Sequence, residues 1–254
     1  MMKKELQIFL TAIMFFTRIP CPKWIDHDPI YLKKSPKYFS LVGCVVGCIG
    51  AAVFTLSSYI FNTDISLLLS IFATIYTTGA FHEDGFADVC DAFGGGWTKE
   101  KILLIMKDSR LGTYGVSGLI LILVLKFLAL KSIPVHYIPM AIITGHSLSR
   151  FIATTLIYTH QYVRDTNDSK AKPAAKEITL TMLLICAIFG LAPLFLFKSP
   201  IVFLTLIPCY ISKVYLGKKF KKWIGGQTGD CAGATQQLAE VIFYLSLIAL
   251  WKFI

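Results

Sequence analysis

Three aspartates, Asp84, Asp88 and Asp91, stand at i, i+4 and i+7 within FHEDGFADVCDAFGGGW, which runs from Phe81 to Trp97. On a helix that spacing gathers them on one face within about 60°. Phe86, Val89, Cys90 and Phe93 take the opposite face. Carboxylates crowded on one face repel one another unless a positive group sits among them. Magnesium suits such a set, because it takes a few carboxylates together with waters and substrate phosphates. Six of the chain's 15 acidic residues fall between Glu83 and Asp108. Asp108 follows Gly94-Gly95-Gly96, a turn that can bring the chain back toward the first three acids. The spacing therefore predicts a divalent-cation site at Asp84, Asp88 and Asp91, which Asp108 could join as a fourth ligand. Glu83 points about 100° away from Asp84 and ranks below them. His82 is a candidate base or hydrogen-bond partner, and His82, Asp84 and Asp88 form the candidate catalytic group. The plain alternative is a solvated acidic loop balancing nearby lysines. Segregation of the acids from the aromatics argues against it.

Basic and glycine-rich segments supply candidate phosphate sites. In KDSRLGTYG, Lys107 and Arg110 suit anionic oxygens, the arginine bidentately, and the helix start that follows attracts phosphate. An ordinary membrane anchor with Arg110 snorkelling to headgroups is the competing reading. Gly226 and Thr228, in Gly225-Gly226-Gln227-Thr228-Gly229-Asp230, form a second possible cradle, and Asp230 could join a metal shell. A turn with Thr228 as helix N-cap explains the same residues without function. Arg150, with His146 four residues earlier, falls inside an apolar segment. A cation there either faces a partner or cavity or lies near the membrane surface. Glu240 is equally undecided.

These groups must be positioned by membrane helices. The chain is 55% hydrophobic, and apolar runs recur at a spanning length of roughly 20 residues. An all-α integral membrane protein follows, a single polytopic domain over residues 1–254 with its acidic motif at 82–115. About seven spans are expected: Tyr38–Phe61, Ile65–Phe81, Val116–Leu130, Tyr137–Tyr158, Ile178–Phe197, Ile201–Lys213 and Leu238–Ile254. Leu6–Phe16 is short and lacks a small-residue cleavage site after it, so it reads as an N-terminal interfacial helix. In this arrangement 20 of the 25 basic residues lie on one side. They precede the first span (including Lys23), follow the second, follow the fourth (Arg164, Lys170, Lys172, Lys176) and follow the sixth (Lys213 to Lys222). The positive-inside rule places that side, and the acidic motif, in the cytoplasm. The net charge of +10 is then a topology signal with some attraction to an anionic lipid bilayer. A nucleic-acid partner does not fit. Seven scattered cysteines form no CxxC and no zinc spacing.

Three stretches resemble the cobalamin synthase family, adenosylcobinamide-GDP ribazoletransferase. They are FFTRIP from Phe15 to Pro20, the block from Phe81 to Gly115, and GGQTGDCAGA from Gly225. Their order and spacing match along essentially the whole chain. Glu83 departs from an expected apolar residue and Ala92 from an expected glycine. The resemblance implies a magnesium-dependent enzyme of the inner (cytoplasmic) membrane. It would join adenosylcobinamide-GDP to α-ribazole, or α-ribazole 5′-phosphate, and release GMP. Asp84, Asp88, Asp91 and Asp108 would hold the metal, and Lys107 and Arg110 the phosphate oxygens. Arg150, Gly226 and Thr228 join the substrate-binding set. His82 or a free carboxylate would take the hydroxyl proton. Trp97 and Tyr114 read as interfacial anchors, and a homo-oligomer stays open. Two other readings are a CDP-alcohol-type phosphotransferase, whose aspartate pattern matches only in part, and a cation-coupled transporter. Acids at one mouth rather than near the midplane count against the transporter.

Overall fold

The computed structural model describes residues 2–22, 24–26, 28–108, 110–164 and 178–253. Lys23, Ser109, Lys170, Lys172 and Lys176 lie outside them. The helices run in the order α1 (Met2–Phe16), α2 (Pro29–Lys34), α3 (Phe39–Ser57), α4 (Thr63–Thr78), α5 (Phe81–Gly95) and α6 (Lys99–Ile105). They continue with α7 (Thr113–Lys131), α8 (Ile138–Thr159), α9 (Leu180–Leu191), α10 (Leu206–Ile224) and α11 (Gly229–Leu250). Tight 3-10 turns extend α9 through Phe197 and lead into α10 from Pro200. Six helical stretches are long and apolar enough to cross a membrane. A seventh is counted if α4 and α5, which meet at 88°, form one broken span. The protein is an all-α, multi-pass membrane protein, and no strand forms among the described residues.

α8 is the central post, buried on nearly every side against α3, α9 and α11. Without water to drive apolar association, such contacts depend on close backbone approach and small residues. Gly47 of α3 shows this: a Cβ there would lie 2.7 Å from the Ile143 Cα on α8. The outer helices α7 and α9 expose leucine and isoleucine to the surroundings, as lipid-facing helices do.

The expected span Ile65–Phe81 breaks after Thr78, and two further boundaries differ from the sequence expectation. α10 runs to Ile224 rather than stopping near Lys213. Its lysines are accommodated on the helix: Lys219 Nζ lies 5.2 Å from the Phe93 ring centre and Lys222 Nζ 5.9 Å from that of Trp223. α11 starts at Gly229, well before Leu238, because Thr228 Oγ1 caps it by accepting from the Cys231 N–H at 3.3 Å. Its polar first turns are buried by neighbouring helices instead of by solvent.

α1 packs Ile13 and Phe16 against Phe39, Val42 and Val46. Glu5 Oε2 accepts from Lys37 Nζ at 2.5 Å and Tyr38 Oη at 2.7 Å. The Lys37 hydrogen bond, followed by that of Tyr38, holds the Glu5 carboxyl below the usual glutamate range. This clasp fixes the helix that leads into FFTRIP.

The segments after α1, α4, α8 and α10 meet at one end of the bundle. Arg18 N donates to Thr77 O at 2.7 Å, Val163 N to Gln227 O at 3.0 Å, and Gln227 N to Gln161 O at 2.8 Å. At the other end Lys131 pairs with Asp64 at 2.8 Å. The charge pattern predicts the same grouping of loops.

Candidate active site

The acidic helix α5 is aimed by a sharp turn. Gly79 (φ 67°) and Ala80 (φ 58°) both adopt left-handed backbone, which ends α4 and sends α5 off at 88°. For Ala80 that conformation is strained. FFTRIP braces the turn, with the Phe15 and Phe16 rings against Phe81 at 5.7 and 6.1 Å between centroids. α5 then lies across the first turns of α11. A Cβ on Gly85 would sit 3.0 Å from the Asp230 Cα, and one on Gly233 3.3 Å from the His82 carbonyl oxygen. Glu83 Oε1 accepts from Gln237 Nε2 at 2.9 Å, which sets the register from a third point. Gly85→Val is therefore expected to push α5 off α11 and cost about 1–3 kcal/mol by overpacking. A thermal unfolding scan in detergent checks it. An unchanged midpoint would show that the helices do not depend on this contact.

Asp84 is exposed and Asp88 half-buried on the outer face of α5. The turn into α11 brings Asp230 to them. Burial is the largest influence on the half-buried Asp88 carboxyl, followed by the repulsion of Asp230 and of Asp84 and the attraction of Arg164. Arg164 Nη2 donates to Asp230 Oδ2 at 2.5 Å and to Met106 O at 3.0 Å. Asp84, Asp88, Asp230 and Arg164 thus form the charged group at this end of the bundle.

Two of the four expected metal ligands are engaged elsewhere. Asp91 is buried, and its Oδ2 accepts from Gly112 N at 2.7 Å and its Oδ1 from Gly115 N at 2.8 Å. It caps α7 from a neighbouring helix, where a carboxylate also answers the positive end of the helix dipole. Asp108 is partly exposed and paired with Arg110, with Nη2 to Oδ2 at 2.6 Å. The Arg110 hydrogen bond pulls its carboxyl down to about 2. Among the described residues no three His, Cys, Asp or Glu side chains close into a metal-holding group. Magnesium is seldom caged by protein alone and takes one or two carboxylates plus phosphates. By donor chemistry the oxygen-only set Asp84, Asp88 and Asp230 fits it.

The expected phosphate residues are dispersed. Arg110 engages Asp108 through both Nε and Nη2. Gly226 gives the Gln161 backbone room to approach, and Thr228 is fully buried as the α11 cap. His82 points away from Asp84, since i and i+2 stand roughly 200° apart on a helix. Its ring meets those of Phe39 and Phe81 at 5.5 and 5.4 Å. Arg150 is 1% exposed, deep in the bundle, with Nη1 on the His146 carbonyl oxygen at 2.8 Å. Its burial within α8 favours the partner-facing reading of Arg150 over the membrane-surface one.

Beneath the acids lies a buried polar network of which the sequence singled out only His146, Arg150 and Glu240, each with its role open. Lys126 Nζ lies 3.1 Å from Gln237 Oε1 and 3.2 Å from Glu240 Oε1. Gln236 Nε2 donates to Ser149 Oγ and Glu240 Oε2, and Tyr244 Oη donates to Glu240 Oε1 at 3.1 Å. His146 Nδ1 stands 3.6 Å from Glu240 Oε2. The signals for it were a lysine within an apolar helix and a Gln-Gln pair opening the last span.

The family described as cobalamin-5-phosphate synthase matches residues 8–248. The adenosylcobinamide-GDP ribazoletransferase of Shewanella frigidimarina is 45% identical over 250 residues, 97% of this chain and 95% of that one. The one of Shewanella amazonensis is 40% identical over 254 residues, 98% of both chains. The one of Shewanella pealeana is 42% identical over 251 residues, 98% of this chain and 97% of that one. No solved structure matches the chain.

Proposed function

We propose, for a chain that belongs to the cobalamin-5-phosphate synthase family, that it joins adenosylcobinamide-GDP to α-ribazole or α-ribazole 5′-phosphate and releases GMP. The observation that carries the reading is the meeting of Asp84 and Asp88 from α5 with Asp230 from α11, beside Arg164. The ribazole 5′-hydroxyl oxygen attacks the phosphorus on the cobinamide side. The bond from that phosphorus to the bridging oxygen breaks, and GMP leaves with that oxygen.

Magnesium, when bound, would be held by one or two of Asp84, Asp88 and Asp230 and would offset the charge of the pyrophosphate. A carboxylate of the open face takes the hydroxyl proton, for which Asp84 and Asp88 are better placed than His82 on the opposite face. The tie between Glu83 and Gln237 keeps α5 seated on α11, so Asp84 and Asp230 keep their separation. The charge pattern supports a site facing the cytoplasm from the inner membrane.

The test is GMP release by the purified protein in lipid, given both substrates with magnesium or with chelator. Magnesium-dependent GMP together with a cobalamin product supports the reading. Folded protein that yields neither overturns it, and cation uptake into vesicles without chemical change would favour a transporter.

A further inference from the structure

We infer that Arg164 is a phosphate-binding residue of this reaction, held in reserve by Asp230 until a cation neutralises the acids. The inference rests on the phosphate-transfer reading above.

Arg164 follows α8 in a short stretch whose backbone is fixed. Val163 N donates to Gln227 O, and Gln227 N to Gln161 O, a two-sided tie to the turn that opens α11. The side chain is 15% exposed, and its Nη2 binds Asp230 and the Met106 carbonyl. Its Nε–H is buried and has no partner. A buried donor left unmade is costly, and native structures rarely leave one without a reason. Guanidinium is a planar fork built for two-point contact with phosphate.

The surrounding charges give the fork its occasion. Asp84, Asp88 and Asp230 place three carboxyl groups near one guanidinium. A divalent cation held by these acids would supply positive charge there, so Asp230 would hold Arg164 less firmly. The Arg164 fork would then be free to meet phosphate oxygens. Lys107 and Arg110, chosen from sequence for this task, follow α6. Arg110 is 87% exposed and already paired with Asp108.

The experiment measures binding of inorganic pyrophosphate to the full chain in detergent by calorimetry, with magnesium and with chelator. Wild type, Arg164→Gln, Arg164→Lys, Asp230→Asn and the Asp230→Asn/Arg164→Gln double variant are compared, and size-exclusion profiles report folding. With magnesium, Arg164→Gln is expected to weaken binding about tenfold or more, and Arg164→Lys less, because lysine keeps the charge and loses the fork. In chelator, Asp230→Asn is expected to bind pyrophosphate more tightly than wild type, and the double variant to lose that gain. A role limited to supporting the fold would lower the unfolding midpoint of Arg164→Gln without producing this reversal.

Equal pyrophosphate affinity of wild type and folded Arg164→Gln overturns the inference, as does a gain that survives in the double variant. If Arg164→Gln does not fold, Arg164→Lys decides by the same comparison. Wild type that fails to bind pyrophosphate even with magnesium overturns the phosphate-transfer reading itself.

Discussion

Asp84→Asn and Asp88→Asn are each expected to cut GMP release by roughly 10²–10³, the usual effect of removing one group that stabilises transition-state charge. Both side chains stand on the outer face of α5 and make no hydrogen bond to other side chains among the described residues, so unfolding midpoints should stay near wild type. Asp91→Ala should behave in the opposite way. Its two oxygens hold the Gly112 and Gly115 N–H groups, so it should lose about 1–2 kcal/mol of stability as a missing cap. Residual activity in the folded fraction should remain well above that of Asp84→Asn. Asp108→Asn should do little in either assay. Arg110 holds Asp108 at about 2, so the group is charged throughout any neutral assay and its loss leaves the pH profile unchanged. Rates and midpoints measured on the same four preparations check the set. Equal inactivation of Asp84→Asn and Asp108→Asn would restore the four-aspartate metal set and remove the distinction drawn here.

That distinction marks where sequence reading stops. Hydrophobic run length located the spans, because a bilayer imposes its thickness on every crossing helix. Lysine and arginine placement grouped the loops correctly for a similar reason, since it reflects insertion rather than packing. The i, i+4, i+7 spacing put Asp84, Asp88 and Asp91 on one helix, but it could not reveal that Asp91 meets the start of α7. A carboxylate bound to backbone N–H groups and one waiting for a cation look alike in a string of letters. Asp230 was visible as a candidate, yet its pairing with Arg164 depends on the 161–164 stretch docking to Gln227. The last span was expected from Leu238, whereas α11 starts at Gly229 and buries Gln236 and Gln237 along with Glu240. Their polarity is spent on one another and on Ser149, Lys126 and Tyr244, a balance set by helices far apart in the chain.

Glu240→Gln is expected to be among the most destabilising single changes in the bundle, because it leaves Lys126 buried without its counter-charge. Both side chains are nearly inaccessible, at 0% for Glu240 and 3% for Lys126. Removing one member of such a pair typically costs about 3–5 kcal/mol, most of it from the charge left behind. In lipid the stranded cation has no water to turn to. Lys126→Met should cost less, since Glu240 keeps the Gln236 and Tyr244 hydrogen bonds and has His146 nearby. The double variant Lys126→Met/Glu240→Gln should be more stable than Glu240→Gln alone, because it removes both buried charges together. Thermal unfolding of the three variants in one detergent gives the ordering. Additive losses would mean that the two charges do not interact. The double variant also separates scaffold from chemistry. The network sits beneath α5, away from the outer face that carries Asp84 and Asp88, so a folded double variant should release GMP with ordinary magnesium dependence. A folded but inactive double variant would instead draw Lys126 and Glu240 into the reaction and move the site toward the interior of the bundle.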